Sequence, residues 1–320
     1  MNFGFTDEQL ALGATVRDVL RSHCPPAALR TERRPGWEQL AALGFFGLLL
    51  PPESDGLGLG LTDLLPALEE AGRACLPGPV VETAVAAPYL VGGVPKLASG
   101  AVCVSVLPPG QVYAPDADLA DLIVVAGADG LRLVARESAR LTPRAGVDPC
   151  RPLFEVAFDE SERLPGSAVP ALRRATVATA AQLVGIAREL LAVSVAYAKV
   201  RTQFGAAIGS FQAVKHQLAD VAVAVDFAAP LVHRAAISVD RAVAGVDRDV
   251  SAAKAAAGEA AVLAARVALQ VHGAIGYTEE LDLRFWLARA WSLSAAYGTT
   301  AVHRERLRAA VMDGDLGRYP

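Results

Sequence analysis

A chain of 320 residues, 53% hydrophobic and with a formal net charge of −4, is long enough for two or three packed units around a sizeable core. The near-neutral balance excludes the electrostatic footprint of a nucleic-acid or anionic-membrane binder. Met1–Gly4 lacks the basic-then-apolar layout of a signal peptide, and Arg188 and Glu189 interrupt the apolar run Val177–Tyr197. Cys24, Cys75, Cys103 and Cys150 are widely spaced with no CxxC pair. The expectation is a cytoplasmic protein with buried free thiols, no metal site and no membrane span.

Taken in order, the chain reads as helix, then strand, then helix. Thr6-Asp7-Glu8-Gln9 opens the first helix as an N-cap with acidic and amide residues in the first turn. A second helix from about Gly36 to Leu43 stops at Gly44, and Pro51-Pro52 with Gly56, Gly58 and Gly60 forms a loop. Thr62-Asp63 can cap a third helix, which ends before Pro77-Gly78-Pro79. The runs Ala101–Leu107, Leu122–Ala126, Leu131–Ala135 and Leu153–Phe158 are short, β-rich and separated by Pro, Gly and Asp. Beyond them, Leu172–Val200, Phe211–Ala229, one or two segments within Leu231–Gln270 broken near Gly245, and Asp282–Met312 are Ala-rich and amphipathic. The fold expected is α+β and mostly α. An N-terminal helical domain (1–95) is followed by a small β-domain (96–168) and a C-terminal four-helix bundle (169–320).

Several motifs carry a resemblance. Pro51-Pro52-Glu53-Ser54-Asp55-Gly56-Leu57-Gly58, then Glu69-Glu70-Ala71-Gly72-Arg73, and Pro77-Gly78-Pro79 next to Glu82-Thr83, lie in the first part. In the bundle come Tyr197-Ala198-Lys199-Val200-Arg201-Thr202-Gln203-Phe204-Gly205, Phe211-Gln212 with Leu218-Ala219-Asp220, and Gln270-Val271-His272-Gly273-Ala274-Ile275-Gly276-Tyr277. In order and in spacing they resemble the acyl-CoA dehydrogenase family over nearly the whole chain. The resemblance implies FAD, whose pyrophosphate is best met by a guanidinium fork and backbone N–H groups. By that resemblance Arg201, Gln203 and Phe204 reach a partner subunit's FAD, with Gln212 a candidate for the same surface. Gln270, Val271, Gly273 and Ala274 meet its adenosine–pyrophosphate side, although Ala274 replaces the second glycine of the usual pair. His272, His216 and His233 are assigned no role.

The family's reaction takes a proton from Cα of an acyl-CoA with a carboxylate base and sends a hydride from Cβ to the flavin. The base occupies one of two positions. Here Ala296-Tyr297-Gly298-Thr299 puts Tyr297 at one, and counting back from Tyr197 puts Ala175 at the other, between Arg174 and Thr176. The strands that cradle the flavin ring are also reduced: Ser105–Gly110 stands near the first, and no Trp lies between Trp37 and Trp286. Both losses resemble the short subunit of the actinobacterial heterotetrameric (α2β2) acyl-CoA dehydrogenases, many of which act on steroid side-chain CoA thioesters. The implication is a chain without a catalytic base of its own, paired with a longer subunit that supplies one. Two other readings stay open at this stage: a self-sufficient homo-oligomer using Glu279, Glu280 or Asp282 as base, and a flavin-free scaffold.

Overall fold

The computed structural model describes residues 4–127 and 129–312. Helix α1 (Asp7–His23) begins at the Thr6 cap, where Gln9 N–H reaches Thr6 Oγ1 and Thr6 N–H reaches Gln9 Oε1. Helix α2 (Trp37–Ala42) follows Gly36 and ends before Gly44, both left-handed. The cap of α3 (Leu61–Arg73) differs from the one expected at Thr62-Asp63. Gly60 is the N-cap, and Asp63 reaches back to its N–H at 2.9 Å. The first-turn amides of Leu61 and Thr62 donate to Asp240, from the far end of the bundle, at 2.9 Å each. A remote carboxylate thus sits at the positive end of the α3 dipole and ties two layers together. A π-helical turn (Glu82–Ala86) then leads into α4 (Ala87–Leu90).

The motif residue Gly72 and Gly185 on the facing helix have a packing role. A Cβ at Gly72 would lie 2.1 Å from the Gln182 carbonyl, and one at Gly185 would lie 2.0 Å from the Glu69 carbonyl. The two glycines let α3 and α5 (Val169–Val200) touch backbone to backbone.

The middle region holds two small sheets. In one, β1 (Val104–Leu107) pairs parallel with β3 (Leu122–Gly127), which pairs antiparallel with β4 (Gly130–Ala135) and through it with β7 (Glu162–Leu164). In the other, β2 (Ala114–Pro115), β6 (Leu153–Phe158) and β5 (Ala139–Arg144) are antiparallel. Alternation on β3 decides the packing. Val124 joins the main core shared with the helices, whereas Ile123 joins a second, smaller core with Val134 and Phe154. Strand β5 escapes a pattern reading because it carries Arg140, Pro143 and Arg144. At this sheet edge both arginines are answered, by Asp159 and Glu155.

The bundle consists of α5, α6 (Gln212–Asp240), α7 (Val246–His272), α8 (Leu283–Ala295) and α9 (Thr300–Met312), with a two-stranded hairpin, β8 (Thr202–Gln203) and β9 (Ala206–Ala207), between α5 and α6. Two expectations are corrected here. Helix α6 runs through Pro230 to Asp240 instead of ending at Ala229, and the last segment is two helices parted at Ala296–Thr299. The break near Gly245 stands, with Gly245 left-handed as the cap of α7. Helices α6 and α7 are long and apolar enough to cross a membrane, yet roughly half of the most apolar stretch of each is buried in the bundle. All four cysteines are free and buried, and burial pushes the Cys24 thiol up to about 12.

Candidate functional site

Helix α5 stops at Val200, and Arg201 leaves it in an extended conformation. Its backbone is pinned on both sides: its N–H donates to Tyr197 O at 2.9 Å, and its carbonyl accepts from Ile208 N–H at 2.8 Å. The guanidinium is exposed and has no hydrogen bond or ion pair among the described residues. Phe204 and Gly205 form the two-residue tip of the β8–β9 hairpin with φ of +52° and +79°. Positive φ at both positions is what a type I′ turn requires, and a bulky Phe there is strained. Phe204 is 94% exposed and stands edge-on to Phe211, with ring centroids 6.3 Å apart. Gln203 lies in β8 with its amide nitrogen on Thr202 O at 2.9 Å, and Gln212 is the exposed first residue of α6. Val200 at the end of α5, and Val223 and Phe227 on α6, the last 73% exposed, are further exposed apolar side chains.

The end of α7 carries the second motif. Gln270 is exposed, Val271 is buried and Gly273 takes φ +64°, ψ −142°, which a side chain would resist. Nothing lies within 4 Å of where a Cβ on Gly273 would stand. Ala274 follows, exposed, in a short 3-10 turn that ends at Tyr277. The two motif ends are joined by Tyr197 and His272, whose rings stack at 4.3 Å.

The two base positions are different in kind. Ala175 is fully buried within α5. Its neighbour Arg173 pairs with Asp247, and Arg174 lies over the Tyr89 ring at 3.9 Å. Tyr297 sits between α8 and α9 with φ +55°, followed by Gly298 at +111°. That backbone is held from behind. Lys254 Nζ donates to Ser294 O and Gly298 O, each at 3.0 Å, and His303 Nε2 donates to Tyr297 O at 3.1 Å. Burial pushes the Lys254 ammonium down to about 7, and burial with the nearby Lys254 charge holds His303 down at about 4. The Tyr297 hydroxyl donates to Glu82 Oε1 at 2.8 Å, and Arg151 stands 3.8 Å from the same oxygen. Burial, reinforced by the Glu82 carboxylate, keeps the phenol well above its ordinary value. It is a neutral hydrogen-bond donor.

Around this pair the space is closed. Tyr297, Glu82, Arg151, Gln182 and Arg289 enclose about 10 Å³, no more than one water. Beside it, a cleft of about 200 Å³ lies between Pro108, Tyr113, Trp291 and Tyr297, smaller than the about 300–1,000 Å³ of ordinary ligand pockets. Beneath, Arg289 pairs with Asp148 and donates to Leu76 O and Cys150 O. Against burial, which disfavours charge, Asp148 holds that guanidinium above its usual range. Arg151, Lys254, Arg289 and Glu82 as the partner of Tyr297 escape sequence reasoning. Glu82 and Tyr297 lie 215 residues apart, and no motif marks the lysine or either arginine.

These residues fit one end of FAD and not the other. A guanidinium unpartnered among the described residues, three exposed glutamines and open backbone at Gly273 suit a pyrophosphate and its adenosine. The closed space at Tyr297 does not suit a flavin ring or an acyl chain.

The family models of the acyl-CoA dehydrogenase N-terminal and C-terminal domains match residues 6–96 and 167–312. The chain is 34% identical over 303 residues to acyl-CoA dehydrogenase IpdE2 of Mycobacterium tuberculosis, covering 89% of this chain and 91% of that one. Its fold follows a chain of the ChsE4–ChsE5 complex of M. tuberculosis with a TM-score of 0.85 at 22% identity, covering 98% and 99% of the two chains. It follows a chain of the Tcur3481–Tcur3483 steroid ACAD G363A variant equally well, with a TM-score of 0.85 at 24% identity and 97% and 99% covered. With the motifs in register and both domain models matched, the chain belongs to the acyl-CoA dehydrogenase family.

Proposed function

We propose that this chain is the cofactor-completing subunit of a heteromeric acyl-CoA dehydrogenase, α2β2 in form, whose longer subunit supplies the base. The observation that carries the reading is Tyr297. At the base position stands a neutral phenol, already donating to Glu82 and enclosed in a space without room for substrate. The other base position is a buried alanine. Of the three carboxylates that an unorthodox base would need, Glu279 is paired with Arg284, Asp282 with Arg30, and Glu280 is exposed.

Arg201, Gln203, Phe204 and Gln212 on one side, and Gln270, Val271, Gly273 and Ala274 on the other, would hold the adenosine–pyrophosphate end of the partner's FAD. Bound there, FAD supplies the hydride acceptor for α,β-dehydrogenation. Arg201 contributes charge and forked donors; the Gly273–Ala274 backbone contributes close approach; Phe204 excludes water. A steroid side-chain CoA thioester is the substrate class this reading favours, because one of the similar folds is a steroid ACAD and the chain is like ChsE4–ChsE5, a two-component complex.

The test is expression of the chain alone and with a longer acyl-CoA dehydrogenase subunit, followed by flavin absorbance and acyl-CoA oxidation. Flavin and turnover are expected only from the pair. Arg201→Ala in the pair should weaken FAD roughly ten- to hundred-fold, the measure of a charge-assisted contact. Yellow, active protein from the lone chain would overturn the reading.

A further inference from the structure

We infer that the stacked rings of Tyr197 and His272 are a brace that sets the spacing between the Arg201 and Gly273 halves of the nucleotide rim, so that both are positioning residues for the flavin nucleotide. This rests on the function proposed above. The two halves come from different helices: Arg201 follows the end of α5, and Gly273 follows the end of α7. Near these ends the helices bury mostly small side chains, Ser194 and Ala198 on α5 and Ala264, Ala265 and Ala268 on α7, beside Val267 and Val271. Small side chains allow close approach but make shallow ridges, which resist sliding of one helix end past the other only weakly.

The ring pair adds a large interlocking contact to that seam. Its centroids are 4.3 Å apart with 26° between planes. Each member is one bond away from the rim. The Tyr197 carbonyl accepts the Arg201 N–H at 2.9 Å, and His272 is joined directly to Gly273. His272 is itself anchored, Nδ1 donating to Ala268 O at 2.8 Å one turn back. The imidazole also borders a groove of about 490 Å³, lined by Arg17, Arg73, Glu189 and Trp286 among others. Shortening Tyr197 removes the ring's stacked support beside the open groove and leaves the Nδ1 bond to Ala268 O to hold it. A charge-assisted hydrogen bond holds only over a few tenths of an ångström, so a small change of spacing between the halves is felt by a ligand that bridges them.

The experiment titrates FAD into the flavin-free heteromeric complex carrying His272→Ala, Tyr197→Leu, both together, or Tyr197→Phe, with Arg201→Ala as the reference. The first two should weaken FAD about two- to twelve-fold, the worth of a stacked pair. The double variant should be no weaker than the worse single one, because both remove the same contact. Tyr197→Phe, which keeps the ring, should bind FAD normally. In the flavin-free complex, amide hydrogen exchange should quicken at 201–208 and 273–277 in the first two variants, with complex mass and unfolding temperature retained. Unchanged FAD binding beside a weakened Arg201→Ala overturns the brace alone. If Arg201→Ala also binds FAD normally, the functional reading fails with it. Losses that add in the double variant, appear equally in Tyr197→Phe, or come only with dissociation of the complex reduce the pair to ordinary packing and overturn the brace.

Discussion

The rim at 201–212 and 270–277 and the closed junction around Tyr297 treat polar groups in opposite ways. On the rim, Arg201 has no partner among the described residues, and Phe204 is held in a strained backbone and is 94% exposed. At the junction every ionisable group named is engaged: Tyr297 with Glu82, Arg289 with Asp148, Lys254 with two carbonyls and His303 with a third. Unsatisfied groups and strain persist where something outside the chain rewards them; fully satisfied buried networks rigidify. On the function proposed above, the junction is filled in while the rim stays open for the nucleotide. A molecule that had simply lost its function would have had no reason to keep the strained hairpin tip.

The comparison makes different demands on substitutions at its two ends. Arg289→Met strands the Asp148 charge in the interior and should cost about 3–5 kcal/mol in denaturant unfolding, because breaking one side of a buried pair leaves the other uncompensated. Tyr297→Phe removes the donor to Glu82 and should cost about 1–3 kcal/mol of stability. Turnover of the assembled enzyme should stay nearly unchanged. A large loss of turnover with FAD retained would place this chain in the chemistry and break the comparison.

Acid should act on the same junction. His303 titrates lower folded than unfolded, so between about 6.5 and about 4 the unfolded chain binds the extra proton. Its contribution to stability is present above that window and is lost as pH falls through it. Unfolding of the wild type measured against His303→Gln should show that difference shrinking from pH 7 to pH 4. The smallest effect belongs to the rim. Phe204→Asn places a residue suited to positive φ at the turn and should stabilise the lone chain by about 1 kcal/mol while weakening assembly with the partner. A variant that weakens the lone chain would remove the argument from strain.

Local features were legible in the sequence. The Thr6–Gln9 cap, the glycine stop at Gly44, four of the strands and the break at Gly245 all follow from chemistry within a few residues. So does the family, because its motifs lie in short runs. What escaped reading depends on distant partners. Pro230 sits inside α6 although a pattern reading stops there, and β5 hides behind arginines that Asp159 and Glu155 answer. The site divides the same way. Arg201 and Gly273 stand at helix ends that sequence can mark, but the occupation of the Tyr297 position by a bond to Glu82 is set by tertiary packing alone. Lys254 is one of four lysines in the chain, and nothing around it in sequence foretells its complete burial beneath the Tyr297 turn.

The most direct test of the account is the flavin stoichiometry of the lone chain and of the purified heteromeric complex, measured by absorbance after denaturation. The lone chain should retain no flavin, and the complex should carry one FAD for each pair of unlike subunits. One FAD per chain of this protein when purified alone, or two per pair in the complex, would contradict it.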